Sequence, residues 1–326
     1  MEYELYISRC LQLAALGGGF VAPNPMVGAV LVANGKIIGE GYHRVYGGSH
    51  AEVNAIESVS ETELLSKSTL YVNLEPCAHF GKTPPCADLI VAKKIPKVVI
   101  GNIDPNPKVA GKGIEILQNA GIEVVTGILE KECRELNKRF FTFIEKKRPF
   151  IFLKWAQTAD GFLDKKRENS NEPPLVISNE LTKILTHKIR TENQAIMVGT
   201  NTVLLDNPKL SARRWAGKSP IRLICDANGR IPENFNVFDG SQQTIICKEK
   251  NIYDLLKAIY EKNIISVLVE GGEKLLNSFI QSNLWDFAQV EIAPFKIGSG
   301  VAAPVLSKLP VKETCIEGHR ILEFEN

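Results

Sequence analysis

Charge of one sign is what this chain has least of: 39 Lys and Arg stand against 37 Asp and Glu, a net charge of +2 over 326 residues. Acids and bases are interspersed, so no basic stripe follows a polynucleotide backbone and no nucleic-acid partner is expected. Long apolar runs are missing too. None approaches the roughly 20 residues that a spanning helix needs, which removes a membrane partner. Cysteine is sparse and odd in number, seven in all. The start reads as no secretory leader, since Met1-Glu2-Tyr3-Glu4 is acidic and Arg9 interrupts the segment after it. A disulfide framework is therefore not expected, and the expected compartment is the reducing cytoplasm. Cys10, Cys133, Cys225, Cys247 and Cys315 lie in or beside apolar stretches and read as small core hydrophobes. The Gly-x-Gly-x-x-Gly fingerprint is also absent, so a Rossmann dinucleotide domain is not supported.

What is present is a set of metal ligands. His50-Ala51-Glu52 is followed by Glu75-Pro76-Cys77 and then Cys86. One imidazole and two thiolates are three ligands for Zn²⁺, which leaves the fourth tetrahedral position open for water. The metal makes that water acidic near neutral pH. Residues two apart on a helix point in different directions, so Glu52 reaches the water rather than the metal and serves as its base. The eight residues between Cys77 and Cys86 loop over the site and bring His79, Lys82 and Thr83 near whatever is attacked. Those are anion-binding types, which favours a phosphorylated substrate. A closed structural site, with His79 as fourth ligand, is the alternative; it leaves Glu52 without a task.

The pattern alternates helix and strand in both halves. Apolar residues from Tyr3 to Ala14 recur at helical spacing and Gly17-Gly18-Gly19 ends that helix. Asn34-Gly35 between two apolar runs predicts a hairpin. Further helices are expected at 51–59, after Cys86, near 114–119 and over 134–144, with strands at 70–74 and 98–100. The loop from Asp104 to Gly113 is either a cover for a substrate or a plain connection. Glu145-Lys146-Lys147-Arg148-Pro149 is a charged, proline-terminated junction, so domains are expected at 1–145 and 147–326. In the second half strands are expected at 150–153, 195–198, 221–225, 244–247, 266–269 and 288–292, with helices at 179–190, 252–262 and 274–281. A surface loop is expected at 165–174. Glu270-Gly271-Gly272 between a strand and a helix lets backbone amides approach a diphosphate, although paired glycines are also a common tight turn.

His-x-Glu with Pro-Cys resembles the zinc nucleobase and nucleoside deaminases, apart from the wider spacing of the second cysteine. With Ala22-Pro23-Asn24-Pro25-Met26-Val27-Gly28 and the run from Cys77 to Cys86, the first half is similar to the bifunctional riboflavin-biosynthesis deaminase/reductase family. Lys154-Trp155-Ala156-Gln157-Thr158-Ala159-Asp160-Gly161, the segment from Val198 to Pro208, Glu270-Gly271-Gly272 and Ala293-Pro294 extend the likeness through the second half. The resemblance implies an α/β chain with an N-terminal cytidine-deaminase-like αβα domain and a C-terminal dihydrofolate-reductase-like α/β domain. It implies hydrolytic deamination of 2,5-diamino-6-ribosylamino-4(3H)-pyrimidinone 5′-phosphate, then NADPH-dependent reduction of the ribosyl group to ribityl.

It further implies zinc on His50, Cys77 and Cys86, Glu52 as proton shuttle, and Asn24, His43, His79, Lys82 and Thr83 around the first substrate. In the reductase it implies substrate contacts from Lys154, Arg190, Leu210, Arg213 and Glu270, and cofactor contacts from Ala156, Val176, Thr202, Asp206 and Gly272. Val176 is a departure, standing where many relatives carry an aromatic. Arg190 and Arg213 suit phosphate clamps; without the resemblance they read as solvated charges. The implied partner is a small phosphorylated pyrimidine, and a homo-oligomer is left open. The rivals are a polynucleotide deaminase, a deaminase with a purely structural second domain, and a zinc-stabilised binding protein.

Overall fold

The structure, a computed structural model, describes residues 2–78, 85–106 and 109–326. The chain divides into two compact units at the Lys146–Lys147 bond. The first contains α1 (Glu2–Ala15), β1 (Gly28–Ala33), β2 (Lys36–Tyr42), α2 (Ala51–Glu57), β3 (Thr69–Leu74), α3 (Cys86–Ala92), β4 (Lys97–Asn102), α4 (Lys112–Asn119), β5 (Glu123–Thr126), α5 (Glu130–Leu136) and α6 (Lys138–Lys146). Its five-stranded sheet runs β2-β1-β3-β4-β5, antiparallel at the β2-β1-β3 end and parallel from β3 to β5. Strand alternation separates two cores. Leu31, Leu70, Val72 and Ile100 meet Ala55, Ile90 and Leu117 of α2, α3 and α4. Val30, Val32, Tyr71 and Val99 meet Ile7, Cys10 and Cys133 of α1 and α5. Each fully buried aliphatic side chain here contributes about 1.5–3 kcal/mol.

The packing of α2 depends on a glycine. A Cβ on Gly41 of β2 would stand 2.3 Å from Ala55 N and 2.7 Å from Ala51 O, so only glycine lets the helix lie this close. The single helix expected over 134–144 is instead two, broken at Asn137. Its amide accepts from Met26 N at 2.8 Å and donates to Met26 O at 2.9 Å, fixing the segment that carries Asn24.

The second unit contains β6 (Phe150–Gln157), β7 (Phe162–Asp164), α7 (Glu180–Thr191), β8 (Ala195–Gly199), α8 (Thr200–Asp206), β9 (Ile221–Cys225), β10 (Thr244–Cys247), α9 (Ile252–Glu261), β11 (Ser266–Val269), α10 (Glu273–Gln281), β12 (Phe287–Ile292), β13 (Val301–Ala302), β14 (Lys312–Ile316) and β15 (His319–Glu325). Its eight-stranded sheet has the order β10-β9-β8-β11-β6-β12-β15-β14. The strands from β10 to β12 are parallel, and β15 and β14 close the edge antiparallel. Leu256, Ile259, Leu276 and Phe279 of α9 and α10 cover one face. Ile189 and Val203 of α7 and α8 cover the other. All seven cysteines are free; Cys10, Cys133 and Cys247 are core residues as expected, whereas Cys225 is half-buried and Cys315, on edge strand β14, is exposed. No helix among the described residues is long and apolar enough to cross a membrane.

Candidate active sites

Three backbone termini converge in the first unit. His50 caps α2, Cys77 lies just past the end of β3, and Cys86 opens α3. His50 Nδ1 lies 3.5 Å from Cys77 Sγ and 3.3 Å from Cys86 Sγ, and the three ligand atoms all fall within 4.8 Å of one another. Bond lengths of about 2.3 Å to sulfur and about 2.0 Å to nitrogen at a tetrahedral angle put S and N roughly 3.5 Å apart, so the donors fit zinc. The hydrogen bond from Cys86 holds the Cys77 thiol down at about 4, against its burial and with help from His50. Cys86 moves the opposite way, raised first by Cys77 and then by burial.

Glu52 lies in the first turn of α2 with 3% of its surface exposed. Burial first, then the Cys77 charge, pushes its carboxyl up to about 7. A group that titrates near neutrality is suited to taking and returning a proton. Asn24, His43, His50, Glu52 and Cys77 line one cleft of about 360 Å³. His43 Nδ1 lies 3.0 Å from Ser49 O, a pure acceptor, and must donate to it. Burial lowers the His43 pKa, so its Nε2 is the acceptor for Asn24 Nδ2 at 3.2 Å. His79, Lys82 and Thr83 lie outside the described residues.

The sequence motif contained Glu75 without a role, and the structure supplies one. Its buried carboxylate accepts from the amides of Asp104 at 3.2 Å, Gly111 at 3.0 Å, Gly113 at 3.0 Å and Ile114 at 3.4 Å. Asp104, Asn106 and Val109 of the segment it holds line the cleft with Phe140 of α6. Of the two readings of that segment, the wall of a site is the one its position matches.

In the second unit a cleft of about 1160 Å³ opens beyond the C-terminal ends of the parallel strands, where open α/β sheets place ligands. Lys154, Ala156, Val176, Arg190, Thr202, Asp206, Arg213, Glu270 and Gly272 all line it. Leu210 does not: its side chain is 4% exposed and belongs to the core under α7 and α8. Arg190 is no solvated charge, since its Nε and Nη2 hold Glu270 at 2.9 and 2.6 Å and its Nη1 holds Ser211 O at 2.9 Å. Burial alone would raise Glu270, but the charge and hydrogen bonds of Arg190, with Lys154 behind them, hold it below the usual carboxylate range. Burial pushes the Lys154 ammonium the other way, downward, partly offset by Glu270 and Glu291. Glu291, from β12, is itself held by Ser178, Thr182 and His319.

Sequence reading missed Arg167, which ties Asp164 and Asp206 together, and His187, whose pKa is lowered to about 4 by burial and then by Arg190 and Arg213. The glycines fit a dinucleotide. A Cβ on Gly199 would meet nothing within 4 Å, and one on Gly272 only Thr202 Oγ1 at 3.4 Å, so both leave open space that a side chain would fill.

Comparison with known proteins agrees with this arrangement. Residues 1–102 match the model of the cytidine and deoxycytidylate deaminase zinc-binding region, and residues 149–324 match that of the RibD C-terminal domain. The riboflavin biosynthesis protein RibD of Aquifex aeolicus is 40% identical, over 95% of this chain and 92% of the relative. The solved diaminohydroxyphosphoribosylaminopyrimidine deaminase/5-amino-6-(5-phosphoribosylamino)uracil reductase of Thermotoga maritima superposes with a TM-score of 0.89 at 37% identity, covering 99% of this chain and 98% of its own. RibD of Acinetobacter baumannii superposes with a TM-score of 0.92 at 29% identity and the same coverage. Across both units, therefore, this chain belongs to the RibD family of riboflavin biosynthesis proteins.

Proposed function

We propose that the chain carries out two successive steps: hydrolytic deamination of 2,5-diamino-6-ribosylamino-4(3H)-pyrimidinone 5′-phosphate, then reduction of its ribosyl group to ribityl with NADPH. The carrying observation is that one chain holds a His50-Cys77-Cys86 cluster suited to zinc with a buried carboxylate beside it and, in its other unit, a cleft lined by Lys154, Glu270 and Arg190. In this reading residues 1–145 and 147–326 are the two catalytic domains.

His50, Cys77 and Cys86 hold the zinc, which when bound supplies Lewis acidity that makes a water nucleophilic near neutral pH. Glu52 takes the proton of the attacking water and delivers it to the ring nitrogen and the departing amine. Asn24 and the neutral His43 orient the pyrimidine, and His79, Lys82 and Thr83 serve its phosphate. In the second unit NADPH supplies the hydride. Lys154 donates to the opened sugar, Glu270 orients the sugar hydroxyls while Arg190 fixes the carboxylate, and Arg213 meets the phosphate. Ala156, Val176, Thr202, Asp206 and Gly272 form the cofactor side. A purely structural second unit would have no use for glycine surfaces left open to a cleft or for a buried lysine 4.0 Å from the buried carboxylate of Glu291.

Two variants separate the halves. Glu52→Gln retains zinc but deaminates at least about 100-fold more slowly, the usual worth of a general acid/base, with reduction unchanged. Glu270→Gln does the reverse, impairing the sugar substrate more than NADPH and leaving deamination intact. Assaying both half-reactions for both variants checks this; a single variant that abolishes both steps would contradict two independent centres.

A further inference from the structure

Five arginines line the reductase cleft, and their partners divide them. Arg190 holds Glu270, Arg167 holds Asp164 and Asp206, and Arg214 holds Glu180. The other two bond to neutral groups: Arg213 Nη1 donates to Ser211 Oγ at 3.3 Å and Arg230 Nη2 to Asn201 Oδ1 at 2.8 Å. Asp226, which feels the charge of Arg230, is committed to Thr200 Oγ1 at 3.1 Å and Ile231 N at 3.0 Å. An arginine not paired with a carboxylate keeps its planar fork of donors for an anion arriving from solvent.

The two stand at opposite ends. Arg213 acts on the same His187 as Arg190 does, beside the substrate group. Arg230 follows β9, and in sheet order β8 and β11 separate β9 from β6, which carries Lys154. Three strand spacings are about 14 Å, a span for an elongated ligand rather than one ring. Gly199 and Gly272, the open glycine surfaces, lie on the strand ends between them.

We propose that Arg230 recognises the adenosine 2′-phosphate of NADPH and so sets the preference of the reductase for NADPH over NADH. The inference rests on the reductase reading above. A dinucleotide laid across the strand ends with its nicotinamide beside Lys154 carries its adenosine ribose toward β9. The 2′-phosphate is the one group by which NADPH differs from NADH. Asn201 steadies one edge of the guanidinium, and the remaining donors face an anion.

The test is titration of the intact chain and its Arg230→Gln and Arg230→Lys variants with NADPH and with NADH, followed by nicotinamide fluorescence. Deamination serves as a check on the preparation. Losing a charge-assisted hydrogen bond corresponds to a rise of ~10- to 100-fold in the Kd for NADPH in R230Q. The Kd for NADH stays within about threefold, and R230K recovers part of the loss as a point charge. Equal weakening of both cofactors would put Arg230 on the diphosphate and overturn the proposal. Unchanged affinity for both would make it a solvated charge and also overturn it. A wild-type chain that binds neither cofactor would bring down the reductase reading itself, and the proposal with it.

Discussion

Glu270 ends an apolar strand and is 13% exposed, which a lone carboxylate could not tolerate; Arg190, itself 14% exposed, is what makes the position tenable. Removing one member of such a pair leaves a buried charge and costs about 3–5 kcal/mol. Arg190→Met should therefore lower the unfolding transition of the second unit by that order, with Lys154 only partly replacing the lost cation. The pH dependence follows from the direction of the Glu270 shift. Its folded-state pKa is depressed, so the pair's stabilisation is fully present above the ordinary carboxylate value and disappears as pH falls through the folded value. In the variant burial dominates, so Glu270 takes up its proton at higher pH than in the wild type. The stability gap between the two should shrink on acidification; thermal melts from pH 7 down to pH 3 that show a constant gap would contradict the pairing. At this scale the clustering of His50, Cys77 and Cys86, with Glu52 buried beside them, was legible because the spacing of those residue types encodes a chemistry. Glu75 and the tie from Arg167 to Asp206 were not, because each depends on a partner far along the chain.

Elements differed in the same way. The amphipathic helices and the Asn34-Gly35 hairpin could be read locally, since burial on one face writes a period into the sequence. Strands β5, β7, β13 and β14 and the short helix α8 were missed because they are short, on edges, or begin with polar Thr-Asn-Thr; β15, seven residues long with a partner on each side, was missed because its pairing is tertiary. The break between α5 and α6 was invisible for a related reason, because Asn137 is diverted by Met26 rather than by any helix-breaking residue nearby. Leu210 shows the converse, a position implied by resemblance to touch substrate whose side chain the fold buries. The segment from Asp104 to Ile114 yields a prediction of its own. Glu75 holds it through four amides, and Glu75→Gln turns a donor toward two of them. Hydrogen bonds to a charged acceptor are worth about 1.5–3 kcal/mol each, so the loosened wall should raise the KM for deamination at least about 10-fold with zinc content unchanged. Zinc analysis and steady-state kinetics on the one variant decide it; an unchanged KM would leave Glu75 with no part in the site.

At the scale of the whole molecule, the two units each bring a sheet and a cleft of different chemistry, one built around a His/Cys/Cys ligand cluster and one across parallel strand ends. The near-zero net charge is consistent with small-molecule substrates rather than with a polymer drawn in by a surface field. Two domains were legible in the charged junction and the restarted alternation. The chemistry of the second was legible only through its family resemblance, because its glycine pair departs from the dinucleotide fingerprint and its floor is assembled from β6, α7 and the residue that follows β11. The most direct measurement follows both steps in one tube: the purified chain, the diamino substrate and NADPH in ¹⁸O-water, with the product read by mass and NADPH by absorbance. The expected product is a ribitylaminouracil phosphate carrying one ¹⁸O as the new carbonyl oxygen on its pyrimidine ring, with one NADPH oxidised per product formed. A deaminated product that accumulates with its ribosyl group unreduced and NADPH unconsumed would contradict it.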